Sequence, residues 1–208
     1  MSARYDIRGF LRSLVATGSV AGVFLSPAAA VPRIDHEAQC TYKELTWDDF
    51  RGSVLRGQGT AWISSTIMLD SYEIEVLEEE DGSFTARVKY PGVYALMDKT
   101  RSSAQPGGRS DDNLAHEQLH FDLTEYYARL FAIEIQEISA KGPERSWELR
   151  SALEIQVQEA YRKTLDAHFE HEARYDDETQ HSLRKRAQKK WQRDVSALLA
   201  ETPAYALR

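Results

Sequence analysis

The hydrophobic pattern of this 208-residue chain changes its period once, and that change restricts the fold more than any other feature. Between residues 41 and 98 apolar and polar side chains alternate, as strands with one buried face require. Ala61, Ile63, Ile67 and Leu69 share one face of "GTAWISSTIML". Tyr72, Ile74 and Val76 share a face of "SYEIEVLEE", and Phe84, Ala86, Val88 and Tyr90 a face of "SFTARVKY". Asp81-Gly82, between the last two runs, is a hairpin signal. An antiparallel meander of about three or four strands is the simplest arrangement. The following "DKTRSSAQPGGRSDDN" is polar and rich in Gly and Pro, hence a loop.

From Asp111 the period becomes helical. A first helix is expected from about Asp111 to Ser139, with Ser110, Asp111 or Asp112 as its N-cap. "KGPERS" breaks it, and a second helical region starts near Trp147, where Leu149, Leu153, Val157, Tyr161, Thr164 and His168 form one stripe. The pattern stumbles around "YDDETQH" and resumes with Leu183, Ala187, Trp191, Val195 and Leu198. A kink or break near Asp176–Asp177 is expected, one continuous helix being the alternative. There are no internal repeats. Strands followed by helices place residues 31–208 in a single α+β domain, with an N-terminal antiparallel meander and a long, broken C-terminal helical region.

The first 30 residues read differently. Arg4, Arg8 and Arg12 precede the apolar "SLVATGSVAGVFL", and "SPAAA" ends it with small residues at Ala28 and Ala30. This is the pattern of a secretory signal peptide cleaved near Ala30, and it implies a periplasmic or secreted protein. No apolar run approaches the ~20 residues of a bilayer span, so no membrane span is expected after cleavage. Removing Arg4, Arg8, Arg12 and Asp6 leaves 23 basic and 32 acidic residues, a net charge of −9. Such an acidic domain is a poor partner for nucleic acid. Cys40 is the only cysteine, which excludes an internal disulfide. The "DHEAQ" before it lacks the small apolar stretch expected ahead of a lipid-modified cysteine.

Within the first helix stands "HEQLH", His116 to His120. With 6 His in 208 residues, an H-E-x-x-H is expected by chance roughly 0.02 times. A helix is the only regular structure that projects an i, i+4 pair of imidazoles to one side. At ~100° per residue the two histidines align with Leu123, Tyr127 and Phe131, so they face the core. Buried there beside a carboxylate, they need a partner for every polar atom, and a zinc ion supplies one. Glu117 would take the proton of a zinc-activated water and pass it to the leaving amine. Asp122 is turned ~200° from His120 and reads as a surface or supporting group.

A catalytic zinc takes three protein ligands and keeps one open position. The third is sought in "DAHFEHEARYDDETQH", which offers His168, His171, Glu172, Asp176 and His181. His168, His171, Glu172 and Tyr175 share the inward face of the second helix, and His181 lies beyond the expected break. Spacing alone leaves these alternatives open.

Three landmarks, "LTWDDFRG", "LAHEQLHFDLTEYYARLF" and "YDDETQHSLRKRAQKKWQ", resemble a bacterial domain-of-unknown-function family described as predicted secreted zinc-dependent proteases. Its pattern is W-x-D-F, then H-E-Q-x-H-F-D, then Y-D-x-E-T-x-H-G followed by a Gln and a Trp. These fall on Trp47, Asp49 and Phe50, on His116 to Asp122, and on Tyr175, Asp176, Glu178, Thr179, His181, Gln188 and Trp191. The chain departs from it at Leu119 and Ser182, where the family commonly carries glycine. The resemblance implies a zincin-like arrangement in which His181 joins His116 and His120 on zinc. It also implies that the Tyr175 hydroxyl could stabilise an oxyanion and that Asp176 could orient a ligand histidine or ligate directly.

The expected function is thus a zinc peptidase acting on a peptide or protein substrate, whose backbone would pair with the "GTAWISSTIML" strand. A zinc-stabilised envelope binding or adaptor domain without turnover is the alternative, and a metal-free domain is a third. Arg184, Lys185, Arg186, Lys189, Lys190 and Arg193 read as a solvated helix face, and Trp191 as a core anchor.

Overall fold

Two long strands make up most of the main sheet. β3 (Ser65–Glu78) and β4 (Phe84–Asp98) pair antiparallel from Ser65 opposite Met97 to Glu78 opposite Phe84. The computed structural model describes residues 34–54 and 60–202, so the proposed signal peptide lies outside the described residues. The hairpin forms where Asp81-Gly82 marks it. Gly82 takes a φ of 77°, and Asp81 Oδ1 accepts from the N–H and Oγ of Ser83 at 2.9 and 2.6 Å.

The runs expected as separate strands on either side of Asp70 are one strand. The reason lies in the phase of the pattern. Ile67 and Leu69 occupy odd positions, whereas Tyr72, Ile74 and Val76 occupy even ones, so a regular strand would put the two sets on opposite faces. Register shifts between Leu69 and Glu73 restore the phase, and all five residues pack into one hydrophobic cluster. "GTAWISSTIML" is conversely not a single strand. Ala61–Trp62 (β2) separates from β3 and pairs with Ser103–Ala104 (β5), a strand within the stretch expected to be loop.

The sheet is also not a meander. β1 (Gln39–Thr41) pairs with the end of β4, giving the order β1-β4-β3. β6 (Ser139–Gly142), which lies between two helices in sequence, pairs with the start of β4. Cys40, in β1, is a free and buried cysteine.

Among the described residues three α-helices complete the α+β fold: α1 (Asp111–Glu137), α2 (Trp147–Thr179) and α3 (Lys185–Glu201). Ser110 caps α1 and Ser146 caps α2, each hydroxyl accepting a backbone N–H from three residues on. α1 ends two residues short of the expected Ser139, which already belongs to β6. α2 runs unbroken through Asp176–Asp177, correcting the expected break, and at 33 residues spans about 50 Å. The chain turns instead at Gln180, His181 and Ser182, all with positive φ (47°, 50° and 71°). Ser182 thus occupies a backbone conformation that favours glycine, and its hydroxyl donates to Asn113 Oδ1 at 2.6 Å. No described helix is long and apolar enough to cross a membrane.

α1 is buried on most of its circumference, and each sector meets a different neighbour. Ala128, Phe131, Ala132 and Ile135 pack against Ile67, Ala86 and Val88 of the sheet and against Leu149, Leu153 and Val157 of α2. Leu119 and Leu123 meet Tyr175, Trp191 and Val195 of α2 and α3. Phe121 faces the N-terminal segment through Cys40, Leu45 and Phe50. Phe131 is fully buried where α1, α2 and the sheet meet. Phe131→Ala is therefore expected to destabilise the fold by about 3–5 kcal/mol, read as a lower urea midpoint at unchanged m-value.

Candidate metal centre

The N-terminal half of α1 lies against the C-terminal end of α2 and the start of α3. His116 and His120, one turn apart, project toward the last turns of α2. Their Nε2 atoms each lie 3.1 Å from Asp176 Oδ1. His181, in the positive-φ turn after α2, brings its Nδ1 to 3.3 Å from the same oxygen. Three histidines from two parts of the chain thus converge on one carboxylate oxygen.

The distances to Asp176 Oδ1 are short enough for the cluster to be a candidate cation site. Four donors at ~2.0–2.1 Å on a tetrahedron stand about 3.3–3.4 Å apart, close to the 3.1–3.3 Å that separates each imidazole nitrogen from Asp176 Oδ1. The donor atoms of His116, Asp176 and His181 all lie within 4.8 Å of one another, whereas His120 stands outside that group and joins it only through its 3.1 Å contact with Asp176 Oδ1. Two or three imidazoles with a carboxylate are a donor set that zinc accepts.

Each histidine of α1 is gripped from behind at Nδ1, which leaves Nε2 facing the centre. Gln188 Oε1 of α3 sits 3.2 Å from His116 Nδ1 and also accepts the Tyr175 hydroxyl at 2.8 Å. Gln188 Nε2 donates to the Ala115 carbonyl at 3.4 Å. Glu172 Oε1 sits 3.3 Å from His120 Nδ1. Because a ring offers its two nitrogens in different directions, Glu172 lies behind His120 and Asp176 in front of it. That places Glu172 outside the converging donors, although it was a third-ligand candidate by spacing.

The other expected positions fall as follows. His168 is buried, with Nε2 3.4 Å from Glu172 Oε1 and 3.2 Å from Thr124 Oγ1. His171 Nδ1 lies 3.1 Å from the Tyr127 hydroxyl, and its ring lies against Trp191. Neither reaches the centre. Asp122 accepts from Tyr42 OH and Gln118 Nε2, each at 2.8 Å, on another side of α1. Tyr175 is the residue the resemblance marks for an oxyanion role. It exposes no surface, its hydroxyl is engaged by Gln188 and by the His116 carbonyl at 3.3 Å, and its ring stacks on His116 at 4.6 Å. It braces the site from below. The six basic residues of α3 and its approach are exposed, while Trp191 is buried and donates to Glu178 Oε2 at 2.8 Å.

Two supporting residues had no role assigned from sequence. Gln188 was visible only as a landmark of the resemblance. Gln118, an x of H-E-x-x-H, accepts from Leu45 N–H at 2.7 Å and donates to the Lys43 carbonyl at 3.3 Å, so it fastens the N-terminal strap to α1. Nothing in the local pattern marks an amide for such a partner some 70 residues away.

Glu117 is buried on the side of α1 that faces the β2–β3 junction. Burial raises its carboxyl above the ordinary range, Asp176 adds to this, and His120, His116 and a hydrogen bond with the backbone of Ile63 oppose it. For His120, burial would lower the imidazole, but hydrogen bonds to Asp176 and Glu172 outweigh it and hold the ring well above 6.5. Burial would likewise raise Glu172, and His168 and His120 instead draw it down to about 2. Asp176 falls below the ordinary carboxylate range because hydrogen bonds from His116 and His120 overcome its burial.

These shifts define a stability window for the metal-free protein. The depressed carboxylates stabilise the fold above their unfolded values of 4.5 and 3.8, and that contribution is lost as pH falls through their folded values. Raised His120 stabilises it fully below 6.5, and that contribution is lost as pH rises through the folded value. The cluster is therefore expected to contribute most between pH 4.5 and 6.5. Thermal unfolding with a chelator should show the alkaline decline, and Asp176→Asn should flatten it.

Comparison with protein-family models, with curated proteins and with solved structures finds no match to this chain.

Proposed function

We propose that the chain is a zinc-dependent peptidase of the periplasm or the secreted fraction, with His116, His120 and His181 as metal ligands and Glu117 as general base. The observation that carries this reading is a buried carboxyl with a raised pKa near a cluster in which the donor atoms of His116, Asp176 and His181 lie within 4.8 Å of one another and His120 meets the same Asp176 oxygen. A buried acid with weakened ionisation is what general acid–base work at neutral pH requires. The resemblance to predicted secreted zinc-dependent proteases and the signal-peptide pattern point the same way.

A bound zinc supplies Lewis acidity that activates water and polarises a peptide carbonyl. Glu117 removes a proton from the attacking water and carries it to the leaving amine. Its contact with the backbone of Ile63 puts this carboxyl beside the β2–β3 junction, and β3 is an edge of the main sheet. An extended substrate pairing along that edge would pass near Glu117. Gln188 and Glu172 hold the two imidazoles, and Tyr175 supports His116 by stacking. His181, whose side chain is 77% exposed, leaves the centre open to solvent from its side.

A second reading rests on its own observation. Asp176 Oδ1 lies nearly equidistant from all three histidines, and a metal held by all four residues has no open position. The protein would then be a zinc-stabilised binding or adaptor domain without turnover.

Glu117→Gln separates the readings. As a peptidase, the zinc-loaded wild type should cleave unstructured peptides, seen by mass spectrometry, and the variant should keep its zinc while losing at least about 100-fold in rate. Undiminished cleavage by the variant would sink the mechanism, and an inactive wild type with one tightly held zinc would favour the adaptor. In either case zinc uptake should expel the proton held on His120. Calorimetric titrations in buffers of different ionisation enthalpy should show that release, and zinc affinity should weaken as pH falls.

A further inference from the structure

His120 and His116 are anchored by different chemistry. Gln188, a neutral amide, holds His116, whereas His120 belongs to a closed ring of polar contacts. His120 Nδ1 meets Glu172 Oε1 at 3.3 Å, and Glu172 Oε1 meets His168 Nε2 at 3.4 Å. His168 Nε2 in turn meets Thr124 Oγ1 at 3.2 Å, and Thr124 Oγ1 donates to the His120 carbonyl at 3.0 Å. The ring begins on the side chain of His120 and returns to its own main chain.

These contacts favour one tautomer for each imidazole. Thr124 donates to the His120 carbonyl, which leaves its oxygen to accept. With the Glu172 carboxylate also an acceptor, a His168 tautomer protonated at Nε2 suits both neighbours. On the other side Glu172 accepts from His120 Nδ1, which leaves the Nε2 lone pair of His120 for the centre. Ser65 Oγ, at the first residue of β3, reaches Thr124 Oγ1 at 2.8 Å and ties the ring to the sheet. Thr124 and His168 are essentially fully buried, and His168 Nδ1 has no hydrogen-bond partner among the described residues. A buried imidazole with one nitrogen unsatisfied is costly as mere packing, which is a reason to seek its use in what the other nitrogen holds.

We propose that Glu172 is a positioning residue that locks His120 with Nε2 toward the metal and strengthens it as a ligand, and that His168 and Thr124 act through Glu172. A carboxylate behind a ligand imidazole fixes its orientation and raises its basicity, and loss of such a partner weakens metal affinity 10–100-fold. This inference rests on the zinc reading but not on peptidase activity.

The test is zinc affinity by chelator competition, together with the visible spectrum of the cobalt-substituted protein. Glu172→Gln keeps the shape but replaces the carboxylate, and exposed Glu170→Gln on the same helix is the control. Glu172→Gln should lose about 10–100-fold in zinc affinity and alter the cobalt spectrum, while Glu170→Gln matches the wild type. Thr124→Val should give a smaller loss, and the double variant should lose less than the sum of the two in free energy, because both act on one ring. A Glu172→Gln protein that is folded by circular dichroism and binds zinc within twofold of a zinc-binding wild type overturns the proposal. Strict additivity with Thr124→Val overturns the part assigned to Thr124 and His168. A wild type that takes up no zinc removes the zinc reading itself, and this inference with it.

Discussion

One carboxylate oxygen organises the histidine cluster of this molecule. Asp176 Oδ1 stands between the imidazoles of His116, His120 and His181, and so joins α1, the end of α2 and the turn into α3. Such a gathering of polar groups is expensive to bury unless every group has a partner. The surroundings supply those partners. Gln188 and Glu172 take the outer nitrogens of the two α1 histidines, and Tyr175 packs its ring between them and Trp191.

The demands on α1 explain why it is buried almost all round. Successive residues of "HEQLHFDL" face different neighbours: His116 and His120 the centre, Glu117 the β2–β3 junction, Gln118 and Phe121 the N-terminal strap, Leu119 and Leu123 the helices α2 and α3. Leu119, where the resembled family commonly has glycine, is a packing residue in a fully enclosed position. Ser182, the other departure, sits at a φ of 71° and offsets part of that backbone cost by its bond to Asn113 at the start of α1.

Much of the fold was legible because it is written in local periods. The switch from alternation to helical spacing placed the strands before Asp98 and the helices after Asp111, and Ser110 was among the candidate caps. The errors share a cause. The phase change between Leu69 and Tyr72 reads as two strands, but a bulge absorbs it within one because both halves bury against the same helices. The stumble at Asp176 reads as a break, but the charged residue faces inward because the histidines of another helix meet it there.

What the sequence determined by itself was the pair of imidazoles one turn apart, the glutamate between them, and a short group of acids and histidines near the end of a second helix. These follow from helical geometry, which sequence spacing encodes. Only the tertiary structure decided which members of that group converge. Glu172 and Asp176 are one turn apart on the same helix and indistinguishable by spacing, yet one lies behind His120 and the other in front. The crossing of α1 and α2 and the positive-φ turn at Gln180–Ser182 set that difference, because the direction a ring nitrogen faces depends on where the two helices stand relative to each other.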